Sequence, residues 1–343
     1  MINIKLSTDT PSWPYLRQTP GAKGVWNDCV FWVNTGIEEC DWWFIYEGLV
    51  QPEKTKCDPE HIVFVTGEPP ITRTYDPKFL LQFSSVITSH SDLAHPRRVL
   101  MQQALPWYIG IDKRTTETNN NFLTYDNLSQ ITPDKLNKSK LASVISSNKE
   151  YTKGHRRRIF FIEQLLDRLG DQIDFYGQGF RDIDDKWEAI APYKYHIVLE
   201  NSSVPHYFTE KLSDAFLGWS YPIYYGCPNI FDYFPQEALI PIEISDLDQA
   251  IDTVEKIIDT DTFHRKLPYI DQARKLVLNS YNLFAVLAEY SKHVTAKKKI
   301  LIELYPESYE MGLTSRVMKI IRKVKHYGAG KMFKIFLEQN YKN

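Results

Sequence analysis

The stretch at residues 200–216, ENSSVPHYFTEKLSDAF, gathers side chains able to do chemistry within a few positions of one another. Just before it stands YHIVL, an apolar run ending at Leu199; just after, the pattern is helical to about Trp219. The chain therefore leaves a buried strand, crosses a polar loop and enters a helix whose first turn carries Glu210 and Lys211. In open parallel sheets ligands bind beyond the carboxyl ends of the strands. A helix N-terminus at that place offers free N–H groups and partial positive charge, which suits phosphate. Lys211 adds a cation there. Glu210 would repel a phosphate and instead suits a neutral diol such as a ribose. Asn201 donates from its amide, and Tyr207 stacks or donates through its hydroxyl. Residue type alone equally allows an ordinary helix start, with Thr209 as cap and Glu210 facing the helix dipole.

The elements around this junction alternate. LASVISS at 141–147 reads as a strand. Residues 156–169 place Ile159, Ile162, Leu165, Leu166 and Leu169 at helical spacing, and Gly170 stops the helix. IDFYG at 173–177 is a strand entering the glycine loop YGQGF, so Gly177 falls at another carboxyl end. YPIYYG at 221–226 is a further buried strand, and 242–258 supplies a strand and a helix. Strands and helices in alternation imply a parallel sheet covered on both faces, here a Rossmann-type unit over about 147–290. The first part reads as a looser α/β region with strands at 61–65 and 84–88; residues 112–140 read as a long polar surface excursion.

The bulk numbers agree with two domains. The chain has 343 residues, 43% of them hydrophobic and 14% aromatic, with a formal net charge of −2. That balance gives no reason to expect a nucleic-acid partner. No secretory leader is apparent at MINIKLSTDT, and no run reaches the roughly 18–20 apolar residues of a membrane span; the most aromatic run, DWWFIYEGLV, is too short and holds Asp41 and Glu47. Four cysteines without CxxC spacing point to a reduced, cytoplasmic protein. The nine histidines show no metal spacing, and the three Asp-x-Asp triplets starting at Asp182, Asp246 and Asp259 are commonplace in an acidic chain. Gly177 and Gly179 form a GxG, but Asp182 replaces the third glycine of a dinucleotide fingerprint, which argues against NAD. Residues 316–343 are strongly basic and interleaved with apolar positions. They suit either a helix lying on an anionic inner membrane face or a helix packed on the first domain.

From Tyr195 to Pro228 the sequence resembles the donor-binding signature of the α1,3/1,4-fucosyltransferases, glycosyltransferase family ten. Glu200, Asn201, Tyr207, Thr209, Glu210, Lys211, Pro222, Gly226 and Pro228 fall in step with that pattern. The resemblance is clear over about 140–235. It implies a GT-B fold, two Rossmann-like domains facing across a cleft, here divided as 1–146, 147–300 and a basic tail at 301–343. It implies an inverting transferase moving L-fucose from GDP-fucose to a hydroxyl of a glycan, with α1,3 linkage to a GlcNAc- or Glc-type residue. No tightly bound cofactor or divalent metal is implied. The donor-binding set carried over is Arg158, Gly177, Glu200, Asn201, Tyr207, Glu210 and Lys211. SSNKEYTKGHRRRIFFIEQL resembles the region in which an arginine grips the diphosphate; counting back from Leu165 favours Arg158, with Arg156 and Arg157 adjacent. VFVTGEPP resembles the loop carrying the family's catalytic base, which makes Glu68 that base, although Pro69 stands where asparagine is usual. A donor carrying another GDP-linked deoxy-sugar, and a non-catalytic carbohydrate-binding relative, are the alternative readings.

Overall fold

The computed structural model describes residues 1–112, 122–147, 153–177, 181–292 and 298–310; the basic segment 316–343 and Gly179 lie outside them. Within them are fourteen strands in chain order: β1 (Ile2–Thr8), β2 (Val25–Trp26), β3 (Cys29–Val33), β4 (Trp42–Tyr46), β5 (Glu53–Cys57), β6 (Ile62–Val65), β7 (Ser85–Thr88), β8 (Arg98–Leu100), β9 (Lys140–Ile145), β10 (Ile173–Tyr176), β11 (Tyr193–Leu199), β12 (Tyr221–Tyr225), β13 (Ile240–Pro241) and β14 (Ile300–Leu304). The helices are α1 (Pro77–Leu80), α2 (Tyr125–Gln130), α3 (Lys153–Leu169), α4 (Trp187–Ile190), α5 (Glu210–Leu217), α6 (Leu247–Thr260), α7 (Phe263–Asn279), α8 (Leu283–Tyr290) and α9 (Glu307–Glu310).

Two sheets organise the molecule. The first runs β2-β3-β1-β4-β6-β7-β8 and is parallel throughout except for the β2–β3 pair. The second runs β10-β9-β11-β12-β13 and is wholly parallel. Two parallel-sheet units facing one another across a cleft form the GT-B arrangement expected from the sequence. The first unit is not loose. All five residues of β4 are buried, as are all four of β6 and of β7, because this sheet is covered on both faces. One face packs Ile4, Leu6, Phe44 and Val63; the other packs Trp43, Ile45, Phe64 and Phe79.

The division read from the sequence shifts at three points. The strand at Lys140–Ile145, assigned to a first domain ending at 146, pairs with β10 and β11 in the second sheet. The 112–140 excursion contains α2, closed by a capping box between Thr124 and Asn127, and its Leu128 is buried in the second core beside Trp107 and Ile109. The chain then crosses back: α8 buries Leu283, Phe284 and Leu287 in the first domain's core, and β14 pairs antiparallel with β5. The strand expected from residue 242 lies slightly earlier, at Ile240–Pro241.

The crossing from first to second domain is gripped from both sides. Arg17, fully buried, donates to the carbonyls of Trp107, Ile109 (3.1 Å) and Leu123 (2.7 Å). Asp214 accepts from the amides of Tyr108 and Ile109, both at 3.1 Å, and Asp185 accepts from Gly110 at 2.8 Å. Asn282 ties the return crossing to the same spot by donating to the Gln18 carbonyl at 2.7 Å. These side chains fix how the two sheets face each other.

Candidate active site

Close packing at the strand ends builds the second domain's side of the cleft. Gly177 follows β10 with φ of +127°, and a Cβ there would lie 1.7 Å from the Ser146 carbonyl oxygen, so only glycine lets the ends of β9 and β10 converge. At the end of β12, a Cβ on Gly226 would fall 2.5 Å from Cγ of Glu200. Glu200 therefore sits under the loop rather than on it. It is 1% exposed; it accepts from the Thr209 amide at 2.8 Å and hydroxyl at 2.9 Å. Burial raises its carboxyl from the usual range, with Lys211 opposing. The structure thus places Glu200 as a buried group that fixes the turn 201–208 and the start of α5. Thr209 completes that start as N-cap, accepting from the Lys211 amide at 3.2 Å.

Three arginines open α3, and they divide by burial. Arg156 and Arg157 are exposed; Arg158 is 4% exposed and points inward. One guanidinium nitrogen of Arg158 donates to Oδ1 of Asn201, while its buried Nε has no partner. Desolvation lowers its pKa, and the nearby Glu200 opposes this. Lys211 lies close enough for Arg158 to act on its ammonium, and its Nζ is 3.3 Å from Glu200 and 3.6 Å from Glu210. A buried guanidinium with a donor to spare, beside a second cation at a helix N-terminus, is an arrangement that suits an anion.

Glu210 is held differently from the expectation of a free diol acceptor. Lys186 lies 3.3 Å from it and Lys211 3.6 Å. Burial alone would raise its carboxyl, but Lys211 and Lys186 outweigh that and hold it down at about 2. It is thus an ionised carboxylate facing the cleft. Lys186 also meets Asp214 at 2.9 Å and sits over the Tyr108 ring, 4.8 Å from its centroid. The network Glu210–Lys186–Asp214 therefore runs from the cleft to the interdomain segment at Tyr108. Replacing Asp214 by alanine strips the Tyr108 and Ile109 amides of their buried acceptor and leaves Lys186 with Glu210 alone. The expected cost is about 3–5 kcal/mol of stability, measured by urea denaturation.

The first domain supplies the opposite wall. Glu68 follows β6 and is exposed on the cleft face. Desolvation raises its carboxyl, and Glu47 raises it further; Lys211 opposes, Glu210 adds to the rise, and Arg73 opposes. Those partners show that Glu68 faces Glu210 and Lys211 across the cleft. Its carbonyl accepts from Nε2 of His90 at 2.8 Å, and burial lowers the pKa of His90, so the neutral ring donates. The Pro69 carbonyl closes the next turn, accepting from the amides of Thr72 at 2.9 Å and Arg73 at 3.1 Å. Tyr207 is 3% exposed; desolvation raises its phenol well above the ordinary range, followed by the fields of Glu200, Glu68 and Glu210.

Between the walls lies a cavity of about 320 Å³, bounded by Trp13, Tyr15, Tyr46, Glu68, Tyr108 and Glu210. The Trp13 and Tyr108 rings stand 4.5 Å apart. A second cavity of about 360 Å³ opens beyond β12 and β13 among Ser203, Gly226, Pro241 and Glu243, and none of the ion-paired residues lines it. No group of three or more metal-ligating side chains occurs among the described residues.

The structure thus brings Glu68, Tyr207, Glu210 and Lys211 to one cleft. It places Arg158 and Asn201 beside Lys211, and Gly177 and Glu200 behind them as shaping residues. Sequence reading missed Glu47, Arg73, Lys186 and Asp214. Asp214 carried a signal, since it lies one turn beyond Glu210 on the same helix face; Lys186 and Arg73 come from loops and carried none.

Comparison with known proteins places these observations. Residues 135–266 match the profile described as glycosyltransferase family 10 (fucosyltransferase) C-terminal domain. An alpha-(1,3)-fucosyltransferase of Helicobacter pylori is 29% identical over 99 residues, covering 29% of this chain and 20% of that protein. A GDP-fucose protein O-fucosyltransferase 3 of Danio rerio is 24% identical over 178 residues, covering 48% and 38%. A putative fucosyltransferase-like protein of Arabidopsis thaliana is 35% identical over 81 residues, covering 23% and 16%. The chain therefore matches well under half the length of each of these relatives. A crystal structure of an alpha1,3-fucosyltransferase with GDP-fucose aligns over 82% of this chain and 92% of its own, at 17% identity and a TM-score of 0.44. The similarity is thus to glycosyltransferase family 10, and it is carried by residues 135–266 of the second domain.

Proposed function

We propose that the protein transfers L-fucose from GDP-fucose to a hydroxyl of a glycan acceptor, inverting the anomeric carbon. The observation that carries this reading is Arg158: a buried guanidinium with an unmatched Nε, bonded to Asn201 and neighbouring Lys211, inside the family 10 domain. A diphosphate is an anion that these two cations and the helix N-terminus suit. The names of the H. pylori and D. rerio relatives, and the GDP-fucose in the neighbouring crystal structure, support the donor.

In the proposed step Glu68 takes the proton from the acceptor hydroxyl, and that oxygen attacks the anomeric carbon of fucose. The bond from that carbon to the phosphate oxygen breaks, and GDP leaves with the electron pair from the opposite face. The sugar is cation-like at the transition state, as in other glycosyl transfers. Negative charge grows on the phosphate, where Arg158, Lys211 and the N-terminus of α5 receive it without reorganising. Two fixed cations do the work that a divalent metal does elsewhere, so the reaction proceeds in chelator. Trp13 and Tyr108 offer apolar ring faces to a sugar in the cavity beside Glu68. The acceptor is a GlcNAc- or Glc-type residue receiving an α1,3 linkage, on the strength of the sequence resemblance. No helix among the described residues is long and apolar enough to cross a membrane. Contact of 316–343 with an anionic membrane, and a cytoplasmic location, belong to the same proposal.

Incubation with GDP-fucose in EDTA, with and without glycan acceptors, tests the reading. GDP should appear slowly alone and faster with an acceptor. GDP binding with no turnover on any neutral glycan would support a non-catalytic relative. Turnover of another GDP-deoxy-sugar in preference to GDP-fucose would reassign the donor.

A further inference from the structure

Glu47 stands at the end of β4, the central strand of the first sheet, and its backbone adopts a left-handed conformation with φ of +64°. A side chain is uncommon there, and such strain persists where the surroundings over-determine it. The surroundings do so here. Oε1 accepts from the amides of Gly67 and Glu68, the latter at 2.9 Å, and from the Tyr75 hydroxyl at 3.0 Å. Oε2 pairs with Arg73, whose second nitrogen donates to the Glu47 carbonyl at 3.0 Å. Arg73 is itself backed by Glu307 at 3.7 Å and Asp9 at 3.8 Å. The side chain is 12% exposed and lines the cavity next to Glu68.

One carboxylate therefore takes both amides of the turn that carries Glu68, while His90 holds that turn's carbonyl from below. We propose that Glu47 is a positioning residue for this reaction: it fixes the backbone of the Gly67–Glu68 turn and sets its own carboxylate, paired with Arg73, beside that of Glu68. This rests on the reading of Glu68 as base. The charged and titratable groups facing Glu68 are Glu47, Arg73, Tyr75 and the ring of His90 from the first domain, and Glu210, Lys211 and Tyr207 from the second. Among them Glu47 is the largest charge acting to keep the proton on Glu68, since its effect ranks next after burial. A base whose proton affinity is raised toward the working pH accepts a proton more readily in the transition state.

The test compares Glu47→Gln, Glu47→Ala and Glu68→Gln in the full chain, following GDP release over a range of pH. Glu47→Gln keeps an oxygen for the two amides but loses the charge. Its acid limb should move to lower pH by about one unit, with GDP affinity unchanged. Glu47→Ala loses the oxygen as well, and its turnover should fall a further tenfold or more below that of Glu47→Gln at the pH optimum. An acid limb of Glu47→Gln that coincides with wild type overturns the charge role. Equal turnover of the two Glu47 variants overturns the positioning role. Near-normal turnover of Glu68→Gln instead removes the base reading itself, and is distinguishable because it does not involve Glu47. Circular dichroism and GDP binding confirm that each variant is folded before its rate is compared.

Discussion

Glu68→Gln should lower turnover of GDP-fucose with acceptor by about 10²–10⁴-fold, the usual worth of a positioned general base. GDP affinity should not change, because Glu68 belongs to the wall opposite Arg158 and Asn201. The amide is nearly isosteric and leaves the Glu47 bonds to the turn untouched, since those use backbone amides. Loss of rate at constant donor affinity separates a group acting only in the transition state from one that binds substrate. The wild-type profile carries the same information. Desolvation within the cleft and the charge of Glu47 raise the Glu68 carboxyl above its ordinary value. Its charged form is the active one, so rate should fall as pH drops through that raised value, above the range of a free glutamate. A profile flat down to pH 4 in the folded protein would remove Glu68 from the proton transfer.

Arg158→Met should act on the opposite partner. Hydrogen bonds to charged groups contribute roughly 1.5–3 kcal/mol each, so losing one to the diphosphate weakens GDP by roughly 10–150-fold. Turnover should fall by about 10²–10³-fold more, since charge on the leaving group grows in the transition state. Stability separates this from general damage. In the unliganded protein the guanidinium is 4% exposed, its Nε unmatched and its pKa lowered by desolvation. Methionine removes the cost of desolvating that charge, which offsets the loss of the single bond to Asn201. Arg158→Met should therefore melt no lower than wild type without nucleotide, yet lose most of the rise in Tm that GDP produces. Calorimetric titration and thermal unfolding together check this. A variant that melts much lower would show Arg158 to be a structural cation matched by Asn201 and Glu200.

The second domain was largely legible because its signals are local. Each strand is short and apolar, each is followed by a polar turn, and helix α3 repeats its buried Ile159, Ile162 and Leu165 at helical spacing before Gly170, whose φ of +52° ends it. The first sheet was legible only in part: the strands read at 61–65 and 84–88 stand as β6 and β7, while the rest was hidden for an equally physical reason. WWFIY at 42–46 is a central parallel strand covered on both faces, so it shows no alternation to distinguish it from any other apolar run. The charges flanking it, Asp41 and Glu47, are ends of the strand; Glu47 had appeared only as an interruption of an aromatic stretch. Arg158, Asn201 and Lys211 could be located because a motif of fixed spacing carries them. Lys186, Arg73 and Asp214 act through partners 24 to 106 residues away in sequence, as in Lys186–Glu210, Arg73–Glu47 and Asp214–Tyr108, and no spacing rule reaches across that distance.

The return of α8 and β14 to the first sheet has a consequence for how the chain is made. Strands β1 to β8 are finished by Leu100, yet one face of their sheet is only partly covered until Leu283–Ala288 arrive, and β5 waits for Ile300–Leu304. A ribosome adding residues from the amino end must therefore build the entire second domain while Ile4, Leu6 and Phe44 lack the part of their cover that Leu283–Ala288 supply. The two halves cannot mature one after the other. The later half folds as an insert, and the earlier half is sealed last, so nascent chains halted before Leu283 should depend on chaperones to stay out of aggregates.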